Sequence, residues 1–184
     1  MAETVQFNLK NVHYSVLNVS DGEVSFGTPV AVPGAVNLTL DQEGGLTPFY
    51  ADGIVYYKGV ANNGYSGELE VALVPVQMLK DIWGMTLGST SKVLTENANV
   101  EPKNFALLFQ IDNDVGENYY VLYNCSATRP GIGSETNTET KTPKTQTMQI
   151  AATPLANGNV KANTTADTPT ATKTGWFTTV FQET

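Results

Sequence analysis

The sequence contains few of the residues that most enzyme chemistry depends on, with one cysteine and one histidine among 184 residues. Cys125 has no partner for an intrachain disulfide, and its place in the apolar run YYVLYNCSA predicts a small buried side chain. His13 lies in the alternating segment KNVHYSVL, so we interpret it as a packed or surface residue of a strand. Neither residue has a metal-ligating companion at a suitable spacing, which argues against a catalytic thiol and a zinc site.

Basic residues and long apolar runs are also scarce. There are 10 lysines and arginines against 18 aspartates and glutamates, which gives a net charge of -8. Such a balance repels phosphate backbones and argues against ordinary nucleic-acid binding. No apolar run approaches the roughly 20 residues of a membrane helix, and the first residues do not resemble a signal peptide. We therefore expect a protein made and kept in a cytoplasm.

No motif for catalysis or for a cofactor is present. The sequence lacks a nucleophile elbow, a phosphate loop and a dinucleotide fingerprint. Glu68 and Glu70 share one strand face, which a glycosidase could use in principle, but an outward-looking, solvated face explains them better. The segment DNDVGEN offers Asp112, Asp114 and Glu117 for calcium without the ligand spacing of an EF-hand, so we favour an acidic hairpin turn. We expect no enzyme activity, no metal and no cofactor.

The pattern that is present has a period of two, which predicts strands. The segment GEVSFGTPVAVPGAVNLTL alternates after a hairpin turn at Asp21 and Gly22, whereas the Gly-rich DQEGGLTPFYADG indicates a loop. Next, residues 54–57 and 69–73 are predicted to be the arms of a hairpin whose turn is Asn62, Asn63 and Gly64. Residues 105–111 and 119–127 predict a second hairpin, whose first strand is apolar on both faces and hence central. One more strand is predicted at residues 148–152.

Helices are expected to be few and short. Residues 76–83 have helical spacing between Pro75 and Gly84, which are typical start and stop signals. In the closing WFTTVF, Trp176 and Val180 lie four residues apart, which suggests a docked helical turn. Residues 131–147 and 164–175 are polar and predict connections. The whole chain, 1–184, is therefore expected to form a single, mainly β domain, a two-sheet β-sandwich with one flanking helix.

An ordered set of segments carries a resemblance to a known family. It comprises KNVHYSVL, GTPVAVPGAVNLTLDQEG, FYADGIVYY, NNGYSGELEVALVP, FALLFQ, YVLYNCSATRP and WFTTVF. Together they resemble the major tail protein, or tail tube protein, of long-tailed, non-contractile bacteriophages that infect Gram-positive hosts. The likeness extends from about Lys10 to Phe181.

The resemblance implies a structural virion protein. Such proteins form six-membered rings that stack into the tail tube, and each subunit adds strands to an inner barrel through which the genome passes. An extended loop or hairpin becomes ordered on stacking. The implied partners are further copies of the chain, a tape-measure protein, and terminator and distal-tail proteins, with DNA passing unbound. The implied location is the virion tail, assembled in the host cytoplasm.

Two physical arguments agree with this expectation. A channel wide enough for duplex DNA needs more strands than one chain of this length supplies, so several copies would share its wall through edge strands. A negatively charged lining would also keep the conduit from gripping its cargo, and the net charge of -8 fits that requirement.

The predicted hairpin at residues 54–73 is the candidate assembly arm. Its tyrosines would supply contact area when a neighbouring ring covers them. The alternative is that this hairpin only completes the sheet of its own subunit. The candidate self-assembly residues are Tyr56, Tyr57, Asn62, Asn63, Gly64 and Tyr65.

Other functions compatible with a β-sandwich remain open. One is a soluble binding module that recognises carbohydrate or another surface, which clustered exposed aromatic residues or a calcium loop would indicate. Another is a different virion component, such as a head decoration or tail-completion protein.

Overall fold

Strands dominate the chain, as the period-two pattern predicts. The structure, a computed structural model, describes residues 5–20, 22–136 and 143–183, in which thirteen strands and two short helices occur. The strands are β1 (Gln6–Ser20), β2 (Glu23–Phe26), β3 (Val30–Ala31), β4 (Ala35–Glu43), β5 (Leu46–Ala51), β6 (Ile54–Val60), β7 (Gly64–Val71), β8 (Thr86–Leu87), β9 (Leu94–Thr95), β10 (Phe105–Asn113), β11 (Glu117–Ala127), β12 (Gln146–Ala152) and β13 (Lys161–Asn163). The helices are α1 (Val76–Asp81) and α2 (Thr170–Gly175).

A single antiparallel sheet holds nine of these strands. Its order is β2-β1-β10-β11-β12-β7-β4, with β3 beside β1 and β13 beside β11. Strands β1, β10 and β11 share one hydrophobic core with β4, β7 and β12, so the sheet folds over on itself. The two layers expected of a sandwich are thus halves of one continuous sheet. The change of layer follows β11, which pairs with β13 over Tyr120–Leu122 and with β12 over Cys125–Ala127.

The central strand β10 is apolar on both faces, which confirms the prediction. Phe105 and Leu107 belong to the main core, while Ala106 and Leu108 belong to a second cluster on the opposite face. The C-terminal segment covers that second face. The predicted β10–β11 hairpin forms, and its pairing extends into the predicted turn as far as Asp112 and Glu117.

Helix α1 confirms the prediction for residues 76–83. Pro75 precedes its first turn, and Gly84 follows it with φ +63°, a left-handed conformation suited to glycine. The helix packs through Met78, and the turn after it packs through Ile82 and Trp83, all fully buried. The Trp83 indole N–H donates to the Ala127 carbonyl at 3.2 Å, which ties the helical segment to β11.

The C-terminal helix does not lie where the sequence places it. Residues 176–178 form a turn, and the helix is α2, within the predicted polar connection 164–175. Pro169 sets the start of α2, where a missing N–H has no cost. The predicted docking of the terminus is nevertheless confirmed: Trp176 and Val180 are buried, and the Trp176 indole N–H donates to the Tyr120 carbonyl at 3.3 Å.

Two predictions around the first long hairpin are wrong. Strand β6 does not pair with β7 but with β5, within a separate two-stranded sheet. The predicted loop at residues 41–53 contains the end of β4 and all of β5. Strand β7 instead lies between β4 and β12, because Leu69 and Val71 complete the core there. The β1–β2 hairpin forms as predicted, with Gly22 at φ +83°; Asp21 lies outside the described residues.

Candidate functional site

Strands β5 and β6 form an arm that continues the β4–β7 ribbon beyond the rest of the molecule. The pairing of Glu43 with Gly64 ends the ribbon, and the pairing of Leu46 with Val60 begins the arm. Between them, the Asn63 N–H donates to the Glu43 carbonyl at 2.8 Å, and the Ala61 N–H donates to the Gly45 carbonyl at 3.0 Å. We call residues 46–60 the arm, residues 44–45 and 61–63 the hinge, and the nine-stranded sheet with its two cores the body.

The hinge depends on close backbone approach. A Cβ on Gly44 would lie 2.1 Å from the Ala61 carbonyl oxygen. Gly64 has φ +107°, and a Cβ there would lie 1.8 Å from the carbonyl oxygen of Ala152 in β12. The Asn62 Oδ1 accepts the Gly64 N–H at 3.2 Å. Asn62, Asn63 and Gly64, which the sequence suggests as a hairpin turn, therefore join the arm to the body.

The real turn of the arm is Asp52–Gly53. Their φ angles are +52° and +77°, so both central residues are left-handed, as a type I′ hairpin turn requires. Asp-Gly between two aromatic runs is a strong hairpin signal. Pro48, inside β5, weakens the strand pattern there, although an edge strand tolerates proline.

The arm has no core of its own. All of its large apolar side chains are exposed, although comparable side chains in β7 and β10 are buried. An isolated two-stranded hairpin is at best marginally stable in water, and a contiguous apolar surface usually marks an interaction site. The exposed residues are Leu46, Phe49, Tyr50, Ile54, Val55, Tyr56, Tyr57 and Val60.

The six candidate self-assembly residues therefore fall into three places. Tyr56 and Tyr57 lie on the arm and are 72% and 65% exposed. Asn62 and Asn63 are in the hinge, and Gly64 begins β7. Tyr65 belongs to the body, where it packs against the main core with the Lys161 ammonium 5.0 Å from its ring centroid. The sequence reasoning missed Phe49 and Tyr50 because their segment is predicted as a loop.

The outer face of β4, β7 and β12 is acidic. These three strands contain no lysine or arginine. Their outward rows run through cross-strand neighbours such as Thr39, Glu68 and Gln149. Together they border a shallow groove of about 660 Å³. The acidic side chains on this face are Asp41, Glu43, Glu68 and Glu70.

Neutral donors satisfy three of these carboxylates. The Ser66 hydroxyl donates to Glu43, the Gln149 amide to Glu68, and the Thr145 hydroxyl to Glu70. Among the described residues no lysine or arginine forms an ion pair with these three carboxylates, so this part of the chain leaves the face negatively charged. Glu68 and Glu70 are thus part of a broad polar surface, in keeping with the solvated interpretation of this pair.

The calcium interpretation of DNDVGEN receives no support from the geometry. Both oxygens of Asp112 are engaged: Lys10 lies 2.6 Å from Oδ2, Asn8 donates to Oδ2 at 2.8 Å, and Gln110 donates to Oδ1 at 2.7 Å. The Lys10 and Gln110 donors hold the pKa of Asp112 below its ordinary value. Among the described residues, no group of three or more His, Cys, Asp or Glu side chains could hold a metal ion.

The histidine and the cysteine both have structural settings. His13 packs its ring 4.8 Å from that of Phe177, and its Nδ1 is 2.8 Å from the Asn11 carbonyl oxygen. Cys125 is fully buried, as predicted, and burial raises its pKa to about 12. At neutral pH the thiol is therefore protonated and screened from solvent.

Comparison with known proteins adds no family assignment. The chain matches no protein-family model, and no curated protein is significantly similar to it in sequence. In the described part of the chain, neither helix is long and apolar enough to cross a membrane.

Proposed function

We propose that this chain is the building block of a bacteriophage tail tube, in which identical copies form stacked, hexameric rings that conduct DNA into the host. The ordered sequence resemblance to major tail proteins motivates the proposal. The observation that carries it is the arm, an aromatic hairpin whose large apolar side chains are left exposed by the described part of its own chain.

The open edge of the sheet supports lateral assembly. Strand β4 ends the strand order and, among the described strands, pairs with β7 alone, so the described chain leaves the other edge of Ala35–Glu43 without a paired strand. Such an edge is a template for pairing with another chain. In a ring, pairing along this edge would extend the sheet from copy to copy and close a barrel wider than one chain could enclose.

The acidic face supports the role of a conduit. In the proposed tube the outer face of β4, β7 and β12 lines the channel. Asp41, Glu68 and Glu70 would then face the DNA. A phosphate backbone gains no counterion release from such a wall, so the nucleic acid passes without being held. The other proposed partners are a tape-measure protein inside the tube and terminator and distal-tail proteins at its ends, all within a virion tail assembled in the host cytoplasm.

The decisive experiment removes the arm. Deleting residues 46–60 leaves Glu43 and Gly64 joined by the five remaining hinge residues, 44–45 and 61–63, a length typical of hairpin loops. We expect the wild-type protein to form rings and tubes at high concentration, seen by sedimentation and negative-stain electron microscopy. The deletion variant should remain folded and unassembled.

A matched pair of substitutions controls for effects unrelated to the arm. Val60→Arg places a charge on the arm, and Val93→Arg places one on an exposed valine outside it. Only Val60→Arg should suppress tubes. Normal tubes from the deletion variant would contradict the role of the arm. A wild-type chain that stays monomeric, even with its phage partners, would contradict the tube itself.

A soluble binding module is the second candidate. One observation favours it: the arm gathers Phe49, Tyr50, Tyr56 and Tyr57, and clustered exposed aromatic rings are typical of carbohydrate sites. The rings lie on a projecting hairpin, however, whereas ligand sites are usually concave and pre-formed. A monomer that binds a glycan array through these rings would support this candidate. If the chain is instead a different virion component, such as a head decoration or tail-completion protein, electron microscopy of phage particles would locate it outside the tail tube.

A further inference from the structure

An apolar slot opens where the two halves of the folded sheet fail to close. Strands β1 and β4 approach each other, and at one end β3 and the Val32 N–H bond to β1. Near Gln6 and Leu40, at the other end, the described strands leave a gap of about 240 Å³. Its apolar lining includes Leu38, Leu40, Tyr65, Phe109, Ile111 and Tyr120.

Polar groups frame the mouth of this slot. The Gln6 side-chain amide donates to the Tyr120 hydroxyl at 3.0 Å, which holds that ring in the wall. Lys161 lies above the Tyr65 ring on another side. The slot therefore has an apolar interior and a rim of hydrogen-bonding groups, which suits an aromatic ring better than an aliphatic chain or a charge.

The size of the slot matches one aromatic side chain. A closed apolar cavity of about 150 Å³ binds benzene, so an opening of this size admits one phenyl or phenol ring and leaves room at its mouth. On the arm, Phe49 and Tyr57 are cross-strand partners, and both are exposed. One ring of this pair can enter the slot while the other covers the mouth.

The arm cannot fill the slot of its own chain without breaking the hinge. It leaves the body as a continuation of the β4–β7 ribbon, and β5, with six residues, spans about 20 Å. To fold back, it would lose the hydrogen bonds from Asn63 to Glu43 and from Ala61 to Gly45. A second copy can approach without that loss.

We infer that the arm of one copy inserts an aromatic ring of the Phe49–Tyr57 pair into the slot between β1 and β4 of a second copy. This inference rests on the proposed function, because it assigns the docking surface of the arm within the stack. The two surfaces differ, so the contact is heterologous and propagates from copy to copy.

The available area fits such a contact. The four aromatic side chains of the arm are 60–72% exposed, so covering them completely would bury roughly 500 Å². A standard interface buries about 800 Å² on each partner, so on the side of the arm its aliphatic residues need to supply only the remainder.

Site-directed disulfides test the inference directly. The native thiol of Cys125 is fully buried and does not compete. Tyr57→Cys places a thiol on the arm, and Gln6→Cys places one at the mouth of the slot, both at exposed positions. Mixing the two single variants under mild oxidation should give covalent dimers. The double variant should give a ladder of covalent oligomers on a denaturing gel, because each copy then carries both halves of the contact.

The control pairs Tyr57→Cys with Leu73→Cys, an exposed residue outside the slot. The slot pair should react roughly tenfold or more faster, because docking raises the effective thiol concentration into the millimolar range. Adding Leu40→Trp to the Gln6→Cys variant fills the slot with the larger side chain. Its disulfide formation with the Tyr57→Cys variant should then fall to the rate of the control pair. Lys161→Cys, at another side of the mouth, gives a second slot thiol should Gln6→Cys react poorly for local reasons.

The outcomes separate the inference from the proposed function. Tubes of the uncrosslinked protein with no excess of slot product from either slot thiol would overturn the docking mode and leave the tube intact. A ladder without rings or tubes in the microscope would establish the docking and overturn the tube. Absence of both would overturn both.

Discussion

The β4–β7 ribbon of the body continues into the β5–β6 arm, yet large apolar side chains are buried in the body and exposed on the arm. Strand β7 buries Leu69 and Val71 completely, while β6, the strand before it, exposes Tyr56 and Tyr57. The difference lies in the neighbouring strands: β7 pairs on both sides, with β4 and β12, whereas β6 has one partner among the described strands, β5. An apolar strand thus becomes core or contact surface according to what lies across from it.

The contrast also has an energetic meaning. Burying a large apolar side chain is worth about 1.5–3 kcal/mol, and the body uses that gain to fold. The arm has the same kind of side chains but leaves the gain unused in the single chain. If a partner covers the arm, that gain stabilises the assembly and adds little to the stability of the subunit.

The strongest test of this difference between body and arm is to truncate a phenylalanine in each region and compare the loss of stability. Phe105 is fully buried in the body, and Phe49 is exposed on the arm. Phe105→Ala should lower the free energy of unfolding by about 3–5 kcal/mol, because it leaves a cavity in the core. Phe49→Ala should change it by less than about 0.5 kcal/mol. Urea unfolding of dilute protein measures both, and equal losses would mean that the arm belongs to the cooperative body.

A second comparison concerns two glycines, Gly64 where β7 begins in the body and Gly53 at the turn of the arm. Gly64→Ala introduces a Cβ 1.8 Å from the Ala152 carbonyl oxygen and should cost at least about 1–3 kcal/mol by forcing β7 away from β12. Gly53→Ala also has an unfavourable positive φ, but no atom lies near its new Cβ. Its strain should remain in the arm and leave the unfolding midpoint of the body unchanged. A large shift from Gly53→Ala would show that the arm and the body fold together.

The smallest expected effect is on how the stability of the body depends on pH. Hydrogen bonds from Lys10 and Gln110 lower the pKa of Asp112, so its contribution to stability is present above the unfolded pKa and is lost as pH falls through the folded one. Asp112→Asn should destabilise the body at neutral pH, and the difference from wild type should shrink below about pH 4. Asp52→Asn, at the exposed turn of the arm, is the control and should follow the wild-type curve. Urea midpoints measured from pH 7 to acid test this, and a constant difference at every pH would contradict it.

Local sequence signals predicted those parts of the fold that depend on local structure. The β10–β11 hairpin, helix α1 and the buried Cys125 follow from apolar period, proline and glycine signals, and all are found. The partner of β6 could not be predicted in the same way. Residues 54–60 and 64–71 are strand-like and separated by a short connection. The pattern therefore predicts that the two segments pair and that Asn62 and Asn63 form the hairpin turn.

The candidate site was predicted in part for the same reason. Tyr56 and Tyr57 are recognisable as aromatic strand residues, and the structure places them on the exposed arm. Tyr65 is also an aromatic residue in a strand-like segment close to them in the sequence, but it lies in the body. Phe49 and Tyr50 are not recognisable as strand residues, because Gly44, Gly45 and Pro48 give their segment the composition of a loop.

By itself, the sequence determined that this chain is mainly β, acidic and built around the central strand β10, because residue period and charge are local properties. Only the tertiary structure decided which apolar strands are covered. Burial depends on long-range pairing: β12, far along the chain, occupies the edge of β7 that the hairpin prediction assigned to β6, and β6 is left to project with its rings exposed. The unclosed seam between β1 and β4 has the same origin, since its lining comes from six strands that no local pattern brings together.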